Sequence, residues 1–145
     1  MIAIGSDHGG YQLKEAVKEH LLSRGIPFRD FGTLDGSSCD YPDIAEAVAS
    51  AVLNDPDIKR GLLFCGTGIG ISIAANKIKG IRAACCSDTY SAKYTRLHND
   101  ANILCMGGRV VGAGLAIEIV DAYLDTEFEG GRHSRRVDKI HALEK

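Results

Sequence analysis

The chain has 145 residues, of which 45% are hydrophobic and 25% are charged, and its formal net charge is −2. This size and composition predict one domain over residues 1–145, and the lack of a basic excess argues against a nucleic-acid-binding surface. No apolar run approaches the roughly 20 residues of a membrane span, and the N-terminal residues become polar too early for a signal peptide. We therefore expect a cytoplasmic protein without a membrane or nucleic-acid partner.

Short apolar runs alternate with amphipathic helical patterns along the whole chain. In chain order they predict a strand at 2–4, a helix from about 13 to 24, a strand at 27–31 and a helix from 40 or 41 to about 55. A strand at 61–65 follows, then a helix from about 69 to 77, a strand at 81–86 and a helix from about 89 to 97. The last predicted elements are a strand at 102–106, a helix from about 113 to 124, and a short helix opened by residues 130–136.

Strands that alternate with helices predict a parallel sheet covered on both faces. We therefore expect an α/β fold with a single doubly wound, Rossmann-like sheet of five strands and a C-terminal helical extension. The expected strand order is 2-1-3-4-5, in which the topological switch point lies between strands one and three. Ligands bind outside the carboxyl ends of the strands at such a point, so the turns at 7–10 and 65–70 are predicted to form one site.

The turn after the third predicted strand carries a thiol and three alternating glycines. Cys65 ends an apolar run, and Gly66, Gly68 and Gly70 lead into a helical pattern. Backbone N–H groups at such a junction favour an anion or a developing oxyanion, and they favour the thiolate of a neighbouring cysteine. The turn therefore predicts chemistry on a small anionic molecule, with Cys65 as the base or nucleophile.

Polar residues near other strand and helix ends are candidates for the same site, and each also has an ordinary structural interpretation. Asp7 and His8 suit a phosphate or a sugar hydroxyl, although Asp7 is equally typical of a helix cap. The hydroxyl of Thr67 can donate to a substrate oxygen or cap the following helix. His98 and Asn99 follow the fourth predicted helix, where local structure also favours a histidine and a turn asparagine.

Arginines in the last third of the chain predict phosphate binding. Arg132 and Arg136 are four residues apart and would share one helix face, and guanidinium groups suit a phosphate dianion. The alternative is a solvated basic face, but the near-neutral charge of the chain and the two glycines before Arg132 favour anion binding. Arg109, just after the fifth predicted strand, is a third candidate.

A dinucleotide site and thiol redox chemistry are two other interpretations. The glycine spacing after the third strand is G-x-G-x-G rather than G-x-G-x-x-G, although Asp88 lies where a ribose-binding acid would be. The five cysteines form neither a disulfide framework nor a pair of metal-spaced CxxC units. Cys85, Cys86 and Cys105 lie in apolar runs and are expected to be small hydrophobic residues rather than redox thiols.

Six motifs together resemble the type B ribose-5-phosphate isomerases, a family that also includes allose-6-phosphate isomerases and the subunits of galactose-6-phosphate isomerase. The resemblance extends from Ile2 to about Ile140. The motifs are Gly5-Ser6-Asp7-His8-Gly9-Gly10, Asp40-Tyr41-Pro42-Asp43, Cys65-Gly66-Thr67-Gly68-Ile69-Gly70, Ala74-Ala75-Asn76-Lys77, His98-Asn99-Asp100-Ala101-Asn102 and Gly130-Gly131-Arg132-His133.

The resemblance implies an aldose–ketose isomerase that works without a metal or a cofactor. It implies that Cys65 moves a proton between C2 and C1 while Thr67 and the neighbouring N–H groups stabilise a cis-enediolate. His98 would open the furanose ring with help from Asp7, whereas His8 and the arginines would hold the phosphate. The substrate-binding residues implied are Asp7, His8, Tyr41, Gly66, Thr67, Gly68, Ile69, Gly70, Asn99, Arg109, Arg132 and Arg136.

The resemblance also implies a homodimer or a dimer of dimers, with each site built from two chains. One branch of the family has a glutamate where this chain has Ile71, so Cys65 indicates the cysteine-base branch. The expected substrate is ribose 5-phosphate, in the pentose phosphate pathway. The alternatives are an allose- or galactose-6-phosphate isomerase and a non-catalytic nucleotide- or phosphate-binding module.

Overall fold

A computed structural model describes residues 1–145 and contains five strands and six helices. The strands are β1 (Ile2–Ser6), β2 (Phe28–Asp30), β3 (Arg60–Cys65), β4 (Ala83–Cys85) and β5 (Ile103–Gly107). The helices are α1 (Tyr11–Ser23), α2 (Tyr41–Asn54), α3 (Ile69–Asn76), α4 (Thr89–Asn99), α5 (Ala113–Leu124) and α6 (Arg132–His141). Every predicted element is present, in the predicted order.

All five strands are parallel and form one sheet with the order β2-β1-β3-β5-β4. The predicted fold class is confirmed, but the predicted order 2-1-3-4-5 is wrong in its last two positions. All five residues of β5 are buried, as suits a strand paired on both sides, with β3 and with β4. β4 has only three residues and is partly exposed, which suits the edge of the sheet.

Helices cover both faces of the sheet and bury two separate cores. α1, α4 and α5 pack on one face, where the core includes Leu21, Leu104 and Tyr123. α2 and α3 pack on the other face, around Val48 and Ile71. The exchange of β4 and β5 explains this division, because a right-handed return from β4 to β5 places α4 on the same face as α1.

The predicted switch point between β1 and β3, where successive strands begin to be added on the other side of the sheet, is present. β1 leads to β2 on one side, β3 leads towards β4 on the other, and the two strands pair from Ile2 with Arg60 to Ser6 with Phe64. The corrected order also places the end of β5 beside the end of β3, where Gly107 pairs with Cys65. Three turns therefore meet at this edge of the sheet, one more than the sequence predicted.

α4 is longer than predicted, and α6 is the predicted last helix. α4 continues to Asn99, so His98 and Asn99 belong to its last turn rather than to the turn after it. Asp100 ends the helix with φ at 50°. α6 forms the predicted C-terminal extension and packs against α4. None of the helices combines the length and the apolar composition that crossing a membrane requires.

Candidate active site

Cys65 ends β3 with its thiol turned back into the following turn. The residue is 4% exposed, and its Sγ accepts a hydrogen bond from the N–H of Gly68 at 3.1 Å. Gly68 has φ at 80°, and a Cβ atom there would lie 2.7 Å from the carbonyl carbon of Met106. Glycine is therefore required at this position both for the backbone conformation and for the close approach of β5. The turn holds the thiol beside an N–H donor.

Backbone donors surround this thiol. The N–H groups of Gly66, Thr67 and Gly70 have no acceptor within the chain. The other two predicted donors are occupied, because Gly68 donates to the thiol and Ile69 donates to the hydroxyl oxygen of Thr67 at 3.2 Å. Unpaired N–H groups at a helix N-terminus attract negative charge. The turn therefore offers a cradle for an anionic oxygen.

The turn after β1 lies directly against the Cys65 turn. Asp7 is buried, and its carboxylate accepts a hydrogen bond from the N–H of Gly10 at 3.1 Å. A Cβ atom on Gly9 would lie 3.0 Å from the nitrogen of Gly66, so the two turns touch. His8 is exposed, and the N–H of Cys39 donates to its Nδ1 at 3.4 Å. Asp7 and His8 are therefore brought to the predicted place.

The turn after β5 forms the other wall. Gly108 donates to the carbonyl oxygen of Cys65 at 2.8 Å, and Arg109 donates through its backbone to that of Gly66 at 3.0 Å. A Cβ atom on Gly66 would lie 3.2 Å from Nη1 of Arg109, so the guanidinium group lies over the turn. Arg109 reaches the Cys65 turn because β5, rather than β4, is paired with β3.

Tyr41 closes the same group of residues from α2. It is the first residue of that helix, and its side chain is 38% exposed. A Cβ atom on Gly70 would lie 2.8 Å from Cζ and 3.0 Å from the hydroxyl oxygen of Tyr41. The phenol therefore lies against the start of α3, within the predicted site.

The remaining predicted residues lie around the contact between α4 and α6. The imidazole ring of His98 stacks on that of His133, with centroids 4.1 Å apart and planes 14° from parallel. Asn99 is exposed in the last turn of α4, and Arg132 and Arg136 are exposed on α6. No hydrogen bond, ion pair or ring contact joins these residues to the Cys65 turn within the chain. The predicted site residues therefore form two groups.

Unpaired arginines occur in both groups. The side chains of Arg109, Arg132 and Arg136 make no hydrogen bond or ion pair, and all three residues are exposed. Of the other arginines, Arg29 and Arg135 are also exposed and unpaired, whereas the remainder pair with carboxylates: Arg24, Arg60, Arg82 and Arg96. The guanidinium groups of the two predicted groups are thus available to an external anion.

Comparisons with known proteins agree with this geometry. The family model for ribose/galactose isomerases matches residues 2–140. The chain belongs to this family. It is 52% identical over 143 residues to ribose-5-phosphate isomerase B of Escherichia coli K12. The match covers 99% of this chain and 95% of that protein. The prediction of a sugar-phosphate isomerase is confirmed at the level of the family.

Two solved structures of the isomerase family match the fold over nearly the whole chain. Ribose-5-phosphate isomerase B of Clostridium thermocellum has a TM-score of 0.95 and 55% identity, with 99% of this chain and 96% of that chain covered. The isomerase B of Mycoplasma genitalium, solved with bound ribulose-5-phosphate, has a TM-score of 0.93 and 44% identity, with 99% and 95% covered.

The main open cavities of this isomerase lie away from the Cys65 turn. One of about 830 Å³ lies between α3, β4 and the last residues of the chain, and Asn99 is the only predicted site residue that lines it. A cleft of about 420 Å³ is lined by Cys85, Tyr90, Tyr94 and His98, among others. Neither of these two cavities is lined by Cys65 or by the glycines that follow it.

Cys85 is a correction to the expected pattern of buried cysteines. It is exposed because it ends the short edge strand β4, and its Sγ lies 3.9 Å from the carbonyl oxygen of Thr67. Cys86 and Cys105 are buried as expected, and burial raises the pKa of the Cys86 thiol to about 12. Partial desolvation of its sulfur raises the pKa of Cys85, and full burial raises the pKa of Cys105, which disfavours thiolate chemistry at these positions.

Asp88 is already engaged in the fold. Its carboxylate accepts hydrogen bonds from the N–H of Ser91 at 2.6 Å and from its hydroxyl at 2.9 Å, as the cap of α4. The acid that a dinucleotide site would need is therefore used for capping.

The residues around His98 were not singled out from the sequence. His133 is 4% exposed and shares the buried side of α6 with Val137, one helical turn away. The four-residue spacing from His133 to Val137 is the only sequence signal for its burial. It is a weak signal, because the exposed Arg132 and Arg136 have the same spacing. Glu129 lies with its Oε2 3.9 Å from Nε2 of His98. These neighbours define the surroundings of the His98 ring.

His98, Glu129 and His133 form the one cluster whose spacing suggests a metal site. Their potential ligand atoms all lie within 4.8 Å of one another. A metal ion binds an imidazole in the plane of the ring, and two rings stacked almost parallel at 4.1 Å do not share such a position. The stacked arrangement does not fit metal binding.

Proposed function

We propose that this chain interconverts ribose 5-phosphate and ribulose 5-phosphate through a cis-enediolate, with Cys65 as the base. The observation that carries the proposal is the position of its thiol beside three unpaired N–H groups, at the edge where three turns of the sheet meet. The proposed unit is one isomerase domain over residues 1–145, and a cytoplasmic location stays a prediction.

The proposed proton transfer begins at C2 of the open-chain aldose. The thiolate of Cys65 takes the C2 proton while a double bond forms between C1 and C2 and O1 becomes negative. The O2 hydroxyl proton then passes to O1, and the thiol returns its proton to C1, which leaves a ketone at C2. The N–H of Gly68 donates to Sγ of Cys65 and so holds the sulfur at this place in the turn.

The enediolate carries negative charge on oxygen at a fixed place. The N–H groups of Gly66 and Gly70, with the hydroxyl of Thr67, are proposed to stabilise it. Donors that are already in place cost no reorganisation during the reaction, and removal of one such donor typically costs about 3 kcal/mol. Asn99 is proposed to bind the same oxygens, and Tyr41 to contact the sugar.

Ring opening and phosphate binding are assigned to the charged residues. His98 is proposed to donate a proton to the ring oxygen while Asp7 assists at the anomeric hydroxyl. His8 and the unpaired guanidinium groups of Arg132 and Arg136 are proposed to hold the phosphate, with Arg109 as a further contact. Binding energy from the distant phosphate then orients the reacting carbons.

We propose that each site combines the two groups of residues from different chains. The groups share no hydrogen bond, ion pair or ring contact within one chain, and apolar side chains on α3 and α4 are left in water. Ile69, Ile73 and Tyr90 are 55%, 56% and 69% exposed. A second copy that covers them would bring its own His98 and arginines to the thiol in a symmetric dimer.

The test of the base is the conversion of ribose 5-phosphate in D₂O, followed by proton NMR. We expect ribulose 5-phosphate labelled with deuterium at C1, because the thiol exchanges its proton with the solvent between the two transfers. We also expect a loss of turnover of at least about 100-fold in Cys65→Ala while the sugar phosphate still binds. Cys86→Ala is the matched control, since that thiol is buried outside the site. Full turnover by Cys65→Ala would contradict the assigned base.

Mixing two inactive variants tests the shared site. Cys65→Ala and His98→Asn are unfolded together and refolded as a mixture. We expect about a quarter of the normal activity, because half of the random dimers carry both changes and each has one intact site of two. No recovery of activity would mean that both groups act within one chain.

The choice of sugar is tested with the same assay. A five-carbon specificity predicts a higher kcat/KM for ribose 5-phosphate than for allose 6-phosphate or galactose 6-phosphate. The loop at 32–40 is the proposed determinant, and it reaches the site where Cys39 donates to His8. Preference for a six-carbon sugar would favour the alternative within the family, and binding without turnover of any of the three would favour a non-catalytic module.

A further inference from the structure

The ring of His98 is held by aromatic contacts rather than by hydrogen bonds. It lies between the face of His133, at 4.1 Å, and the ring of Tyr94, which meets it at 5.1 Å and 76°. Its nearest carboxylate oxygen, on Glu129, is 3.9 Å away, beyond hydrogen-bond distance. Since the His98 side chain is 37% exposed, the stack is the main restraint on its orientation.

The surroundings of His133 oppose a positive charge on its ring. The residue is 4% exposed, and its Nε2 is buried without a hydrogen-bond partner. It is the second residue of α6, where the helix N-terminus disfavours a cation. Burial lowers the pKa of His133, and the neighbouring His98, Arg132 and Arg136 lower it further, while Glu129 acts in the opposite direction.

The two stacked rings come from opposite ends of two helices, the C-terminal end of α4 and the N-terminal end of α6. His98 is in the last turn of α4, and Oε2 of Glu129 lies 3.9 Å from its Nε2. His133 is in the first turn of α6. Two stacked cations would repel each other, so a pair that carries one proton at a time needs one ring that stays neutral.

We infer that His133 is a positioning residue: a neutral imidazole whose face fixes the ring of His98 for opening of the sugar ring. The inference rests on the proposed role of His98 and adds a residue that acts only through it. Because His133 touches His98 and not the Cys65 turn, its contribution is confined to ring opening and does not extend to the proton transfer between C2 and C1.

Two substrates separate these steps. Ribose 5-phosphate is mostly a closed furanose and needs ring opening. Ribulose 5-phosphate has its C5 oxygen blocked by the phosphate, so it has no furanose form, and exchange of its C1 protons in D₂O reports only on the enediolate step. The variants are His133→Ala, which removes the stack, and His133→Phe, which keeps a flat ring without ring nitrogens. His98→Asn is the reference for loss of ring opening.

We expect His133→Ala to lower kcat for ribose 5-phosphate by about tenfold to 100-fold, with an unchanged KM. C1 exchange of ribulose 5-phosphate should stay within about twofold, because the Cys65 turn is untouched. His133→Phe should restore turnover to within a few-fold of the unmodified enzyme. His133→Asn gives the same comparison if the alanine variant does not fold.

Each other outcome has a definite meaning. If His133→Phe is as inactive as His133→Ala, the imidazole nitrogens are needed and a neutral stacking role is wrong. If exchange of ribulose 5-phosphate falls in parallel, His133 supports the whole site and the inference is also wrong. If His98→Asn keeps full turnover of ribose 5-phosphate, the proposed acid fails, and the inference fails with it. Loss of activity in Cys65→Ala would still stand in that case.

Discussion

Gly107 allows the Cys65 turn to pass directly over the end of β5. A Cβ atom at this position would lie 2.5 Å from the carbonyl carbon of Thr67 and 2.6 Å from its carbonyl oxygen. The backbone of Gly107 is not in the left-handed region, so alanine would bring a steric clash without backbone strain. Gly107→Ala therefore tests whether the position of the Thr67 turn sets the rate.

The size of the effect follows from this contact. Ordinary van der Waals contact begins at 3.4 Å, so the turn has to move away by about 1 Å. Such overpacking typically costs about 1–3 kcal/mol, which lowers the melting temperature of a chain of this length by roughly 3–10 °C. A 1 Å displacement of catalytic groups costs about 100-fold in kcat, because the N–H groups of Gly66 and Gly70 then miss the enediolate oxygens.

The assay combines calorimetry with initial rates on ribose 5-phosphate. Gly114→Ala is the matched control: Gly114 lies in the first turn of α5, and a Cβ atom there meets nothing within 4 Å. We expect unchanged kcat in this control and a stability equal to or higher than normal by up to about 1 kcal/mol. A folded Gly107→Ala enzyme with normal kcat would refute the reasoning.

Three further predictions concern stability and assembly. Lys14 is fully buried and donates to the Asp30 carboxylate at 2.8 Å and 2.9 Å, and Lys18 also holds that carboxylate at 2.9 Å. Lys14→Met leaves Asp30 one cation, so it should cost about 2 kcal/mol in denaturant unfolding, and an unchanged stability would contradict this. Because the pKa of His133 is lowered from 6.5, the unfolded chain binds the extra proton, so stability should fall as pH drops below 6.5 and level off below the folded pKa. His133→Phe should remove that slope in unfolding curves between pH 5 and pH 7, and an unchanged slope would assign it to another group. Ile73→Asp should give a folded monomer with little turnover in sedimentation and rate measurements, whereas Leu22→Asp, at an exposed position on α1, should change neither.

The sequence predicted the architecture because its apolar periods are strong and its turns are marked by glycine. Strands β1, β3 and β5 are runs of buried apolar residues, and each ends at a glycine-containing turn. Crossover handedness then limits the possible arrangements. The meeting of the 7–10 and 65–70 turns followed from these rules alone.

The order of the last two strands did not follow from the same rules. Both orders satisfy right-handed crossovers, and the difference lies in how deeply each strand is buried. β4 reads as an apolar run from Ile81 to Cys86, but only Ala83–Cys85 pair, and Cys85 is exposed. Length and burial on both sides favour β5 as the inner strand, and those properties depend on the tertiary packing.

The surroundings of His98 were also beyond sequence patterns. His98 and His133 are 35 positions apart in the numbering and meet only because α6 packs on α4. A buried histidine and an exposed arginine can occupy successive positions of one helix, so composition does not distinguish their roles. The paired arginines show the same limit: Arg96 and Arg132 look alike in sequence, yet one is buried in an ion pair and the other is exposed.

Polar groups left unpaired in this chain concentrate near the proposed site. The two buried side-chain atoms without a partner are Oγ of Ser6, next to Asp7, and Nε2 of His133, next to Arg132 in sequence. Buried polar groups in folded proteins are almost always hydrogen-bonded, so each buried atom without a partner needs a local reason for being there. The unpaired N–H groups of the Cys65 turn lie at the proposed site, as do three of the five unpaired guanidinium groups, those of Arg109, Arg132 and Arg136. A negatively charged substrate held between two chains would supply partners for the turn and the arginines together, and this connects the enediolate mechanism to the shared site.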